Sequence, residues 1–127
     1  MIPKLGIMQG RLLPKFSGRY QAHPLGYWED EFSIASDLGL ECIEFIFDFN
    51  DYQQNPLFSN EGIREIEKIS TKTGVKVYSV CADFFMECPL HSKIEEERSF
   101  SKNILIELLQ NCNDQMDMLI LFVVISQ

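Results

Sequence analysis

The 127-residue chain has no Cys-x-x-Cys pair; its four cysteines, Cys42, Cys81, Cys88 and Cys112, are separated by 38, 6 and 23 residues. That spacing offers no dithiol or zinc-ribbon motif, and two of the four lie inside apolar runs, as small buried thiols commonly do. A reduced, cytoplasmic setting is the expectation. Histidine is scarce too: His23 and His91 stand in separate loops with no HxH or HxxxH spacing, so they read as solvent-facing rather than as metal ligands. No GxGxxG follows the first apolar segment, and GxxxxGK[ST] and GxSxG do not occur, which removes the main supports for nucleotide-binding and α/β-hydrolase readings. Residues 1–10 are too short and broken for the apolar core of a signal peptide, and the longest apolar run, Met118–Ile125, falls far short of a membrane span. Positive charge is in deficit, with 11 Lys and Arg against 19 Asp and Glu and a net charge of −8, which argues against nucleic acid as a general partner.

What remains is the composition of one soluble domain, 46% hydrophobic and 24% charged, long enough for a single core. The charge is uneven. Residues 10–27 hold Arg11, Lys15 and Arg19 and no acid, giving +3 there and −11 elsewhere. Such a loop either steers an anionic small molecule or is simply solvated.

Residues 41–48 form the pattern around which the rest is organised. Ile43, Phe45 and Phe47 alternate with Cys42, Glu44, Ile46 and Asp48, as in a strand between a bulky apolar layer and a polar one. A carboxylate at Glu44 costs several kcal/mol if buried alone, so it is expected to be paired, hydrated or lining a cavity. Similar readings place strands at 4–9, 75–84 and 118–125 and helices at about 28–38, 60–73 and 92–111. The first helix carries Trp28, Phe32, Ala35 and Leu38 on one face, the second Ile63, Ile66 and Ile69, and Gly39 and Gly74 stop them. Ser92 and Glu95 have capping-box spacing, opening a third helix with Ile94, Phe100 or Ser101, Ile104, Leu105, Leu108 and Cys112 buried.

The order β-α-β-α-β-α-β at this spacing predicts a single α/β domain with a parallel sheet and right-handed crossovers. The first two helix-to-strand connections are only two or three residues, whereas strand-to-helix loops run to about eight to eighteen. Long loops gathered at the carboxyl ends of parallel strands are what a binding face needs. Glu44, Asp48 and Asp83 lie within or at the end of strands, and Ser79, Cys81 and Asp83 share one strand face. They form a cavity lining if that face looks the same way as Glu44. Otherwise Asp48 and Asp83 merely start their loops with Asx-type hydrogen bonds. An open flavodoxin-like sheet also fits the element order but lacks a phosphate loop.

The segments Leu5-Gly6-Ile7-Met8-Gln9-Gly10-Arg11-Leu12, Leu38-Gly39-Leu40-Glu41-Cys42-Ile43-Glu44-Phe45, Asn55-Pro56-Leu57 and Tyr78-Ser79-Val80-Cys81-Ala82-Asp83-Phe84-Phe85-Met86 resemble the sugar-phosphate isomerase/epimerase family, the xylose isomerase-like TIM barrels. The resemblance runs in order over about residues 4–112. It implies half of a TIM barrel and proton transfer next to the carbonyl of a ketose or ketose phosphate. It also implies a divalent metal (Mn, Mg or Zn) for the full-length family and none for this chain alone. Transferred residue by residue, it makes Gln9, Arg11, Glu44, Cys81, Asp83 and His91 substrate-binding candidates and assigns no catalytic or metal residue. The family's chains are about twice this length, and most of its metal ligands and acid/base carboxylates lie on later strands. The expectation is a truncated or frame-altered product, weakly active or inactive alone, with a sugar or sugar phosphate as partner. The alternative is a non-catalytic α/β module that binds a small anion through Arg11, Lys15 and Arg19 or assembles with a partner chain. Open edges at the first and fourth strands, above all 119–125, predict self-association.

Overall fold

The computed structural model describes residues 5–115 and 120–122. Four strands, β1 (Gly6–Met8), β2 (Cys42–Ile46), β3 (Lys76–Cys81) and β4 (Ile120–Phe122), pair in parallel in the order β1-β2-β3-β4. The fold is therefore α/β with a parallel sheet. The expected fourth strand is described only at 120–122; the rest of 118–125, and the association edge read into it, lie outside the described residues. The helices are α1 (Asp30–Asp37), α2 (Asn60–Thr73), a four-residue α3 (Phe84–Glu87) and α4 (Glu95–Gln115), with two short 3-10 turns at Tyr52–Gln54 and Pro56–Phe58.

The strand order rises in sequence without a reversal. A flavodoxin-like sheet has a switch point where the order reverses and places helices on both faces. Here α1 packs on α2 and α2 on α4, so the helices follow the strand order in one layer. Phe32 and Ala35 from α1, Ile63 and Ile66 from α2, and Ile104, Leu108 and Cys112 from α4 close over Ile43, Phe45, Phe47, Val77 and Val80. The alternation of β2 is obeyed: Ile43, Phe45 and Phe47 are at most 1% exposed, while Cys42 and Glu44 on the other face are half-buried. On that second face Ile46, Cys81 and Asp48 are at most 8% exposed, so it is half-open only lower down, at Cys42 and Glu44.

Local chemistry explains the connections. Asn55 places its Oδ1 on the Leu57 N–H and its amide on the Ile46 carbonyl, which nails the Asn-Pro-Leu turn to the end of β2. Gly62, in the first turn of α2, packs so tightly on the Pro56 backbone that any Cβ would collide with it. Ser59 caps the same helix through its Oγ on the Gly62 N–H, at 3.0 Å.

Several details differ from the sequence reading. Leu38 is 62% exposed because α1 has already ended at Asp37, so the buried face of this helix is completed by Glu31 instead. Ile94 is 58% exposed because α4 starts at Glu95; Ser92 Oγ accepts from the Ile94 N–H, which is one residue short of a capping box. Ser101, not Phe100, takes the buried position, with its hydroxyl on the Glu97 and Cys88 carbonyls. A register slip between Cys42 and Glu44 opposite β3 turns both Tyr78 and Ser79 toward the uncovered face. None of the helices in the described residues is long and apolar enough to cross a membrane.

Candidate functional site

The register stacks the uncovered face in layers. Met8, Glu44 and Ser79 are neighbours across β1, β2 and β3, and Ile46 and Cys81 form the next layer toward the carboxyl ends. Asp48 and Asp83 follow where β2 and β3 run into their loops. The lower layers border a recess of about 210 Å³ lined by Met8, Cys42, Glu44, Tyr78 and Ser79. Three carboxylates thus rise along one wall, and no cation from β1, β2 or β3 rises with them in the layers above Lys76.

Their protonation reflects that crowding. Burial raises the Glu44 pKa, and the neighbouring Asp83 charge raises it further. Burial also raises Asp48, opposed by the His23 backbone N–H and by Arg19 and assisted by Asp83. Cys81 donates its S–H to Asp83 Oδ1 at 3.3 Å, and burial, that bond and the surrounding carboxylates push its thiol up to about 12. Cys81 is therefore a hydrogen-bond donor at neutral pH and not a thiolate nucleophile.

The loop between β1 and α1 closes over the wall. Gln21 Nε2 donates to Asp83 Oδ2 at 2.8 Å, and Gln21 Oε1 accepts from Arg11, whose other guanidinium nitrogen donates to the Tyr20 carbonyl at 2.8 Å. Arg11 is exposed and holds the loop in place. The loop is anchored from below by Glu31, fully buried, which accepts from the Gly10 N–H at 2.8 and 2.9 Å and from the Leu12 N–H at 3.0 Å. Gly10 has φ +91, and a Cβ there would stand 2.6 Å from the Tyr20 carbonyl oxygen, so this turn requires glycine.

Gln9, one of the substrate-binding candidates, is fully buried. Its Oε1 accepts from the Ile46 N–H at 2.9 Å and faces His23 Nδ1 at 3.1 Å. Because Ile46 requires an acceptor, the amide orientation is set, and His23 Nδ1 must carry the proton. His23 was expected to face solvent, but it is 5% exposed, with its ring against Trp28 and Phe45 and its backbone N–H donated to Asp48 Oδ2 at 2.7 Å. Burial lowers its pKa to about 4. Among the described residues, Gln9 Nε2 and His23 Nε2 are buried without a partner. His91 stays exposed in the turn before α4, outside this network.

Of the six candidates from the sequence, Glu44, Cys81 and Asp83 meet on the wall, Arg11 orders its rim, Gln9 supports it from behind, and His91 stands apart. Sequence reasoning missed Gln21, His23 and Glu31. Only Glu31 left a signal, since positions 28, 31, 32 and 35 share a helical stripe. Among the described residues no group of three or more His, Cys, Asp or Glu side chains is arranged to hold a metal ion. No family model and no curated protein matches the chain.

Proposed function

We propose that the chain is half of a TIM-type barrel of the sugar-phosphate isomerase/epimerase kind, forming one wall of a site for a ketose or ketose phosphate. The observation that carries this reading is the alignment of Glu44, Cys81, Asp83 and Asp48, from mid-strand to the carboxyl ends, on the sheet face turned away from the helix layer, in strands that follow one another without reversal. Carboxylates match the hydroxyl donors of a polyol. Glu44, whose pKa is raised by burial and by the Asp83 charge, is the acid/base candidate for proton exchange next to the carbonyl. Asp83 fixes Gln21 and Cys81 beside it. The other reading, an anion site on the basic loop, has less support, because its three cations are engaged separately. Arg11 binds Tyr20 and Gln21, Lys15 lies over the Tyr20 ring, and Arg19 offsets Asp48.

The test is solvent exchange. The full chain is incubated in deuterated water with a ketose phosphate, with and without added Mn²⁺, and the C–H next to the carbonyl is followed by NMR. Deuterium incorporation that Glu44→Gln abolishes is the expected result. Binding without exchange would leave a recognition module. No binding and no exchange would overturn the proposal.

A further inference from the structure

A parallel sheet normally has both faces covered and leaves no long free edge. This one departs on both counts among the described residues. The helices lie over one face only, and β1 and β4 each have one neighbour. The free side of β1 can be read from its hydrogen bonds. The Leu5 carbonyl accepts from Glu41 and the Gln9 N–H donates to Glu44, so odd residues face β2. By the period of two, the N–H groups of Gly6 and Met8 point away from the sheet. They can donate to a strand laid beside β1.

We infer that two copies of the 127-residue chain close an eight-stranded parallel barrel, β4 of each copy pairing with β1 of the other, around a lumen site to which both copies contribute. This rests on the half-barrel reading above. A second copy is the occupant that satisfies every feature at once. Strands that ascend β1-β2-β3-β4 curl in one direction, and a twofold axis along the strands brings each β4 edge to a β1 edge with the chains still parallel. Ser79 pairs with Ile120, so β4 carries the row Met8–Glu44–Ser79 to the edge that the second copy meets. The helix layer continues into a ring, and the uncovered faces become the inside. Glu44 of each copy then shares the lumen with Glu44 of the other, so removing this carboxylate relieves a repulsion.

The experiment measures the mass of the full chain by light scattering and centrifugation across concentration, together with amide hydrogen exchange. We expect a species of twice 14.7 kDa that does not grow further, with slow exchange at the Gly6 and Met8 amides. Met8→Pro removes an N–H that β2 does not use, so it should give a monomer with an unchanged far-ultraviolet dichroism spectrum. Glu44→Gln should tighten the dimer several-fold. A monomer at all concentrations, a mass that rises without limit, or a dimer whose Gly6 and Met8 amides exchange fast would each overturn the inference. Exchange is read on the wild-type chain, so it decides even if Met8→Pro misfolds. Ketose binding is measured on the same samples. A monomer that binds ketose refutes the dimer and leaves the proposed function standing, and a dimer that binds none does the reverse.

Discussion

The two faces of β2 are built from adjacent residues and answer to different physics. Toward the helices, Ile43, Phe45 and Phe47 are almost fully buried among aliphatic and aromatic side chains. One residue away, Glu44 is half-buried with no helix over it, and its nearest charged influence is another carboxylate. The covered face carries stability. The open face carries groups that cost stability, as expected where a surface is kept for binding rather than for packing.

Substitutions should separate the two faces. The largest effect is expected for Phe45→Ala, which removes a ring in contact with Trp28 and His23 and should cost about 3–5 kcal/mol in denaturant unfolding. A loss under ~1 kcal/mol would remove the distinction. Next comes pH. His23 has its pKa lowered to about 4 in the fold against 6.5 for the free side chain, so the unfolded chain binds its proton first. Its contribution is fully present above pH 6.5 and is lost as pH falls toward 4, amounting to about 3 kcal/mol. Burial raises the carboxyls of Glu31 and Asp48, which gives the opposite slope, so the His23 effect is read as the difference between wild type and His23→Gln. Parallel pH profiles for the two would contradict the assignment.

Glu31→Ala should cost about 2 kcal/mol, because it leaves the Gly10 and Leu12 N–H groups without their acceptor beneath the loop. The same change should loosen Gln21 from Asp83, visible as faster proteolysis within residues 10–27. The smallest effect is expected on the open face. Glu44→Gln should shift unfolding of the monomeric fold by less than ~0.5 kcal/mol, since burial and Asp83 already disfavour its charge. A large loss there would mean that Glu44 is a structural partner and not a wall residue.

The split between the faces was legible before any coordinates, because a period of two with phenylalanines on one side and acids on the other has one reading. The element order and the glycine helix stops at Gly39 and Gly74 were legible for the same local reasons. The support behind the wall was not. Gln9 and His23 meet across 14 positions and Glu31 reaches Gly10 across 21, and no local periodicity encodes such pairings. His23 is buried because Trp28 and Phe45 close around it, a tertiary circumstance that overrides the ordinary exposure of a loop histidine.

The central claim is that the open face, and not the basic loop, receives a polyhydroxylated ligand. Backbone amide shifts of the full chain, recorded while a ketose phosphate is added, test it most directly. The account expects the perturbations to gather at Glu44, Ser79, Cys81 and Asp83 and to leave Lys15 and Arg19 unmoved. Shifts confined to residues 11–20, or none at millimolar ligand, would contradict it.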